Sequence, residues 1–120
     1  MLQPKVYIKK LNIVREVEMI DFYNKQVSVY DIGIGFRGGA AIFSFDEVGF
    51  MENIGYIDKN DTIIYIGDIV EITGVYFEIK YKALKGYVIE NKGHTVSLEA
   101  NLDCVCVVGN IYENKDLLGG

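Results

Sequence analysis

An all-β fold of about seven strands, with one or two short helical turns, is what this 120-residue chain predicts. Tyr, Val and Ile are frequent, Gly occurs 13 times and Pro once, at Pro4, which is a composition of strands and turns. Apolar residues recur with a period of two along most of the chain, the spacing that lays one face of a strand on a core. Segments carrying helix-start signals are too short to serve as the crossovers of a parallel sheet. Half of the residues are hydrophobic, nine Tyr and six Phe among them, so material for a core is ample. The length suits one domain, 1–120, with a single core.

The elements follow in order. KVYIKKL (5–11) puts Val6 and Ile8 on one face. IVREVEMIDFY (13–23) alternates imperfectly, with Val14, Glu16, Glu18 and Ile20 against Ile13, Arg15, Val17 and Met19. Asn24-Lys25 separates it from QVSVYDI (26–32), and the two runs read as a hairpin. GIGFRG (33–38) satisfies the Gly-x-Gly-x-x-Gly dinucleotide fingerprint, with Asp58 at a distance suited to a ribose. That chemistry needs a substantial helix next, whose N-terminal amides meet the pyrophosphate. GAAIFSF (39–45) is strand-like instead, so the segment reads as a glycine loop between strands, with Arg37 at its tip available to a partner or a phosphate.

Helical signals occur twice. Ser44 and Glu47 in SFDEVGFMEN (44–53) make a capping-box pattern, and Gly49 keeps the turn short. SLEANL (97–102) repeats the Ser start with a following Glu. In IGYIDKNDTIIYIGDIVEI (54–72), Asp58-Lys59-Asn60-Asp61 is a turn between two apolar runs. Gly67-Asp68 then starts a strand through Val70 in the manner of a small barrel, glycine permitting the bend and the Asp carboxylate holding nearby backbone amides. VYFEIKYKAL (75–84), GYVIENK (86–92) and DCVCVVGNIY (103–112) are further β runs. In the last, Cys104 and Cys106 read as small buried hydrophobes of an apolar strand, poorly placed for a disulfide. A zinc site built on them would have only His94 to add, leaving it one ligand short.

The motifs DKND (58–61), IYIGDIVEI (64–72), YFEIKY (76–81), GYVIENK (86–92) and the closing VVGNIYENKDLL (107–118), in that order, resemble the YopX family of phage and prophage proteins. The family's sequences show an Asp-Lys-Asn-Gly turn, an Ile-Tyr-Glu-Gly-Asp-Ile-Val block and a closing Ile-Gly-Asn-Ile-Tyr-Glu-Asn-Pro-Glu-Leu-Leu. The residues here that carry the resemblance are Asp58, Asn60, Tyr65, Gly67, Asp68, Val70, Gly109, Asn110, Tyr112, Glu113, Asn114 and Leu117. Asp61 stands where the family has glycine, Ile66 where it has Glu, and Lys115-Asp116 where it has Pro-Glu. The resemblance spans residues 54–118. It implies an SH3-like barrel in the C-terminal part, 44–118, preceded by N-terminal strands and the glycine loop in 1–43, on a protein carried by mobile elements and without an established activity.

Twelve basic residues against 17 acidic ones give a net charge of −5. The excess is concentrated in residues 44–73, which reads as a solvated face or as a surface for a basic partner. Residues 1–10 contain no apolar core of secretory length, and no apolar run approaches the ~20 residues of a spanning helix, so a cytoplasmic location is expected, that of the host cell if the chain is phage-encoded. Three function classes follow. A non-enzymatic protein-interaction or self-assembling module, a homo-oligomer or a binder of a host or phage protein, is expected from the surplus of apolar strand faces and edges, with Tyr23, Tyr30, Tyr65 and Tyr81 as interface candidates. Single-stranded nucleic-acid binding is the alternative, because KYKALKGY (80–87) interleaves Lys80, Lys82 and Lys85 with Tyr81 and Tyr87; an acidic inhibitor of a host nucleic-acid enzyme is a variant of it. An enzyme is not expected: His94 has no partner placed by pattern, and no catalytic, cofactor or metal residues and no small-molecule substrate are assigned.

Overall fold

The computed structural model describes residues 3–30 and 40–119. They are almost wholly antiparallel β and divide into two compact units, residues 1–52 and 53–120.

The first unit contains β1 (Lys5–Ile8), β2 (Ile13–Asp21), β3 (Gln26–Tyr30), β4 (Ala40–Ser44) and β5 (Val48–Met51), in a sheet of order β4-β3-β2-β1-β5. Val6, Ile8, Val17, Val27, Val29, Ala41 and Val48 form its buried cluster, with Ile13, Ile20, Phe43 and Phe45 packed against it. The imperfect alternation of β2 has a structural cause. Val17 pairs with Val29 while Met19 pairs with Ser28, so one extra residue is inserted at Glu18. Such a bulge reverses the parity of everything after it. Val17 therefore faces the core from one side of the bulge and Ile20 from the other, and Met19 is turned outward. Glu47 accepts the Ser44 amide at 2.8 Å, which caps a 3₁₀ turn over Phe45–Glu47. β5 leaves that turn and pairs with β1.

The second unit holds β6 (Asn53–Ile57), β7 (Ile63–Tyr65), β8 (Asp68–Ile72), β9 (Val75–Lys82), β10 (Gly86–Asn91), β11 (His94–Ser97) and β12 (Cys106–Asn110). Five of these form a sheet of order β11-β10-β9-β8-β12, and β6 with β7 makes a separate ribbon. Its core is Ile54, Ile64, Val70, Ile79, Ile89, Leu98 and Val105. Two hairpins turn on Thr73-Gly74 and Lys92-Gly93, all four residues at positive φ, as two-residue loops matched to strand twist require. Further 3₁₀ turns cover Glu99–Asn101, inside the expected SLEANL segment, and Lys115–Leu118.

The all-β expectation holds, with three differences. The described strands number twelve rather than about seven, because runs that read as one, such as 62–72, are broken by residues like Gly67 at φ 93°. The barrel is not closed, since the second sheet ends on β11 and β12. Two buried clusters stand where chain length led to one, and the division drawn at 43/44 falls at 52/53, because β5 returns to pair with β1 as an edge of the first sheet. Among the described residues no helix is long and apolar enough to cross a membrane.

Candidate interaction surface

The DKND turn and the strand that follows are held by two buried carboxylates. Asp58 accepts the amides of Asn60 (2.8 Å) and Thr62 (2.9 Å) on Oδ1 and that of Val107 (2.8 Å) on Oδ2, so one side chain closes the β6–β7 turn and ties it to β12. Burial pushes its pKa up, but the three amides from Val107, Thr62 and Asn60 outweigh it and hold the group below the ordinary value. Asp61 takes φ 65° where the family has glycine, a backbone Asp tolerates better than most residues. Asn60 donates to Cys106 Sγ at 3.2 Å. Asp68 Oδ2 accepts the Tyr65 amide at 2.8 Å across the bend made by Gly67. Tyr65 and Val70 are buried, which removes Tyr65 from the interface candidates. With its carboxylate taken by backbone amides, and β4 rather than a helix following the glycine loop, Asp58 does not serve a ribose.

The closing motif is a second clamp. Asn110 Oδ1 accepts the amides of Tyr112 (3.0 Å) and Glu113 (2.9 Å), while its Nδ2 donates to Glu113 Oε1 (2.8 Å). Ile111 donates its amide to the Gly67 carbonyl at 2.8 Å, seaming the tail to the start of β8. A Cβ on Gly109 would lie 2.5 Å from Asn114 Oδ1, so this position has room only for glycine while Asn114 caps the Asn110 amide at 3.2 Å. Leu117, in the last 3₁₀ turn, is half-buried, and that turn lies against β9. The tail is therefore a seal on the sheet. The cysteines correct the expectation of an apolar strand: Cys104 is exposed in the turn before β12 and Cys106 is half-buried at its first position.

The β9–β10 hairpin separates the two chemistries that KYKALKGY interleaves. Tyr81 and Tyr87 are cross-strand partners with ring centroids 5.2 Å apart, and Tyr87 meets Tyr56 edge-on at 6.3 Å. The charge of Glu99, bonded at 3.3 Å, raises the Tyr56 hydroxyl above the usual tyrosine range. Lys80 and Lys82 alternate onto the opposite face. There Glu90 accepts from Lys80 at 2.7 Å, from Lys82, and from Thr95 Oγ1 at 2.9 Å. These bonds, Lys80 first, pull the Glu90 pKa down to about 2. Two of the three lysines are thus spent on a carboxylate and turned away from the rings, whereas a single-strand binder needs both chemistries on one face. Lys85 lies in the hairpin loop.

The first unit carries the apolar surface that sequence reasoning missed. On the outer face of its sheet, Met19 and Ile42 (56% and 64% exposed) flank Ser28, which pairs with both. Phe22 (73% exposed) and Tyr23 project from the β2–β3 loop, and Phe22, Phe45 and Phe50 form an edge-to-face row with centroids 6.1 and 5.3 Å apart. Beside them Pro4, Val17, Glu18, Met19, Ile20 and Phe22 line a groove of about 470 Å³. Of the tyrosines chosen from sequence, Tyr23 and Tyr81 are exposed. The side chain of Tyr30, together with Arg37 and the whole GIGFRG segment, lies outside the described residues. The signal for Met19 was present as the broken alternation of β2; the signal for Phe22 was its place in a turn.

A family model described as YopX protein matches residues 6–119, extending the motif resemblance through the N-terminal strands. The crystal structure of protein EF1440 from Enterococcus faecalis is similar, with a TM-score of 0.64 and 22% sequence identity over 97% of this chain and 96% of that one. At that identity the likeness is one of fold. No curated protein matches the chain.

Proposed function

We propose that this chain, which belongs to the YopX protein family, is a non-enzymatic protein-interaction module of phage or prophage type that acts in the host cytoplasm and assembles with copies of itself. The observation that carries the reading is the outward apolar surface of the first unit, where Met19, Phe22, Tyr23 and Ile42 are exposed together on one sheet and its loop. Contiguous apolar exposure of this kind is uncommon on a soluble monomer and marks surfaces that bind protein. The family's motif residues do not compete for the role, because their polar groups are consumed in holding turns and the tail. Nucleic-acid binding draws little support from Lys80 and Lys82, which are paired with Glu90 and, for Lys80, with Glu78 at 4.0 Å.

The test is recovery of partners by tagged chain from lysate, with and without nuclease, alongside light scattering of the pure chain. A multiple of the 13.5 kDa chain mass, or a stoichiometric protein partner indifferent to nuclease, is expected. A monomer that recovers only nucleic acid, or nothing, would overturn the reading.

A further inference from the structure

We infer that copies of this chain associate knob into groove, the tip of the β9–β10 hairpin of one seating in the groove beside β2 of another. This rests on the interaction-module reading above and names the occupant of that surface. At the hairpin tip, the Lys85 amide bonds to the Lys82 carbonyl at 3.0 Å, closing a turn whose third residue is Leu84. Leu84 has φ 72° and is fully exposed. Both properties argue against leucine: a left-handed third position favours Gly or Asn, and an exposed side chain gains nothing from being apolar. The turn accounts for the backbone angle, whereas the leucine chosen for it, bare of contacts in its own fold, is accounted for by burial against another surface. The Gly86 position that follows, at φ 80°, has open space where a Cβ would stand, so nothing in the chain crowds the tip.

The groove offers that surface. Five of its seven lining residues, Pro4, Val17, Met19, Ile20 and Phe22, are apolar, with Gln3 and Glu18 as the polar members, and about 470 Å³ is within the size of sites that take up small groups. The charges match as well. Glu18 lines the groove and Lys85 adjoins Leu84, and neither has an ion pair among the described residues. Seating Leu84 in the groove brings opposite charges to its rim. The knob belongs to the second unit and the groove to the first, so each copy supplies one of each. The two patches are unlike, so the contact closes either reciprocally in a two-fold pair or successively in rings and chains.

Such an interface has a complementation test. Leu84→Lys removes the knob and keeps the groove, and Met19→Lys does the reverse. Each variant alone is expected to be monomeric by light scattering. An equimolar mixture should give a 1:1 heterodimer of twice 13.5 kDa and nothing larger. Leu84→Asn guards against misfolding: it suits the left-handed backbone, so its Tm, compared with that of the parent at a dilution where both are monomeric, should be no lower, while association weakens by about tenfold or more. A mixture that stays monomeric overturns the inference. A parent oligomer that neither variant disturbs overturns it too, and leaves the interaction reading standing. A monomeric parent that still recovers a protein partner has the same meaning, whereas a monomeric parent that recovers none sinks both.

Discussion

Replacing Asp58 by Ala removes an acceptor shared by three backbone amides, two in the β6–β7 turn and one 49 residues away at Val107. Hydrogen bonds to a charged group contribute about 1.5–3 kcal/mol each, and a half-buried amide left unpaired costs more than one that water can reach. The turn amides of Asn60 and Thr62 regain water when the carboxylate goes. Val107 is less free to do so, which sets the loss at about 2–4 kcal/mol, or a fall in Tm of roughly 10–25 °C for a domain of this size. Asp58→Asn keeps one acceptor oxygen and should fall between the two. The acid limb supplies an independent check. The amides depress the folded pKa below the ordinary 3.8, so the stabilisation is fully present above that value and is lost as pH falls through the folded one. The stability difference between parent and Asp58→Ala, measured by urea titration followed by circular dichroism, should be constant near neutrality and shrink below about pH 4. A loss under about 1 kcal/mol, or a difference unchanged in acid, would refute the clamp.

Three further variants test the same geometry. Deleting residues 111–118 strips the half-buried Ile111, Tyr112, Leu117 and Leu118 and the seam to Gly67, and should lower stability by several kcal/mol; an unchanged Tm with lost association would make the tail a site instead of a seal. Gly109→Ala pushes a methyl group against Asn114 and should destabilise by about 1–3 kcal/mol in thermal melts. Glu90→Gln removes a group whose pKa lies near 2, so the stability that the parent loses as pH falls from 4.5 toward 2 should be missing from the variant's acid titration. The same variant releases Lys80 and Lys82, and a gain of salt-sensitive single-strand affinity in a fluorescence assay would show that Glu90 had been withholding them.

Much of the second unit was legible as sequence because its signals are local. Asp58, Gly67-Asp68 and Asn110 act on amides within four residues of themselves, and the polar side chains or glycine that such turns require are visible in a linear string. The link from Asp58 to Val107 was not visible, since nothing in either segment names the other. The lysines of KYKALKGY could be assigned to a face by alternation, but only the cross-strand register puts Glu90 beside them. The cysteines were misjudged because an apolar run does not say where its strand begins: β12 starts at Cys106, leaving Cys104 in the turn.

By itself the sequence determined the all-β class, the turns, the short capped 3₁₀ segments and the family, for these rest on backbone preferences and on side chains that reach a few residues along the chain. Tertiary structure decided what faces outward. A one-residue bulge at Glu18 turned Met19 to solvent, the return of β5 to β1 gave the first fifty-two residues a core of their own, and hairpin geometry left Leu84 strained and bare at a tip. The physical reason is that the side-chain period of a strand is two, so a shift of one residue in register exchanges core and surface. Register is a property of two strands together and is written in neither alone.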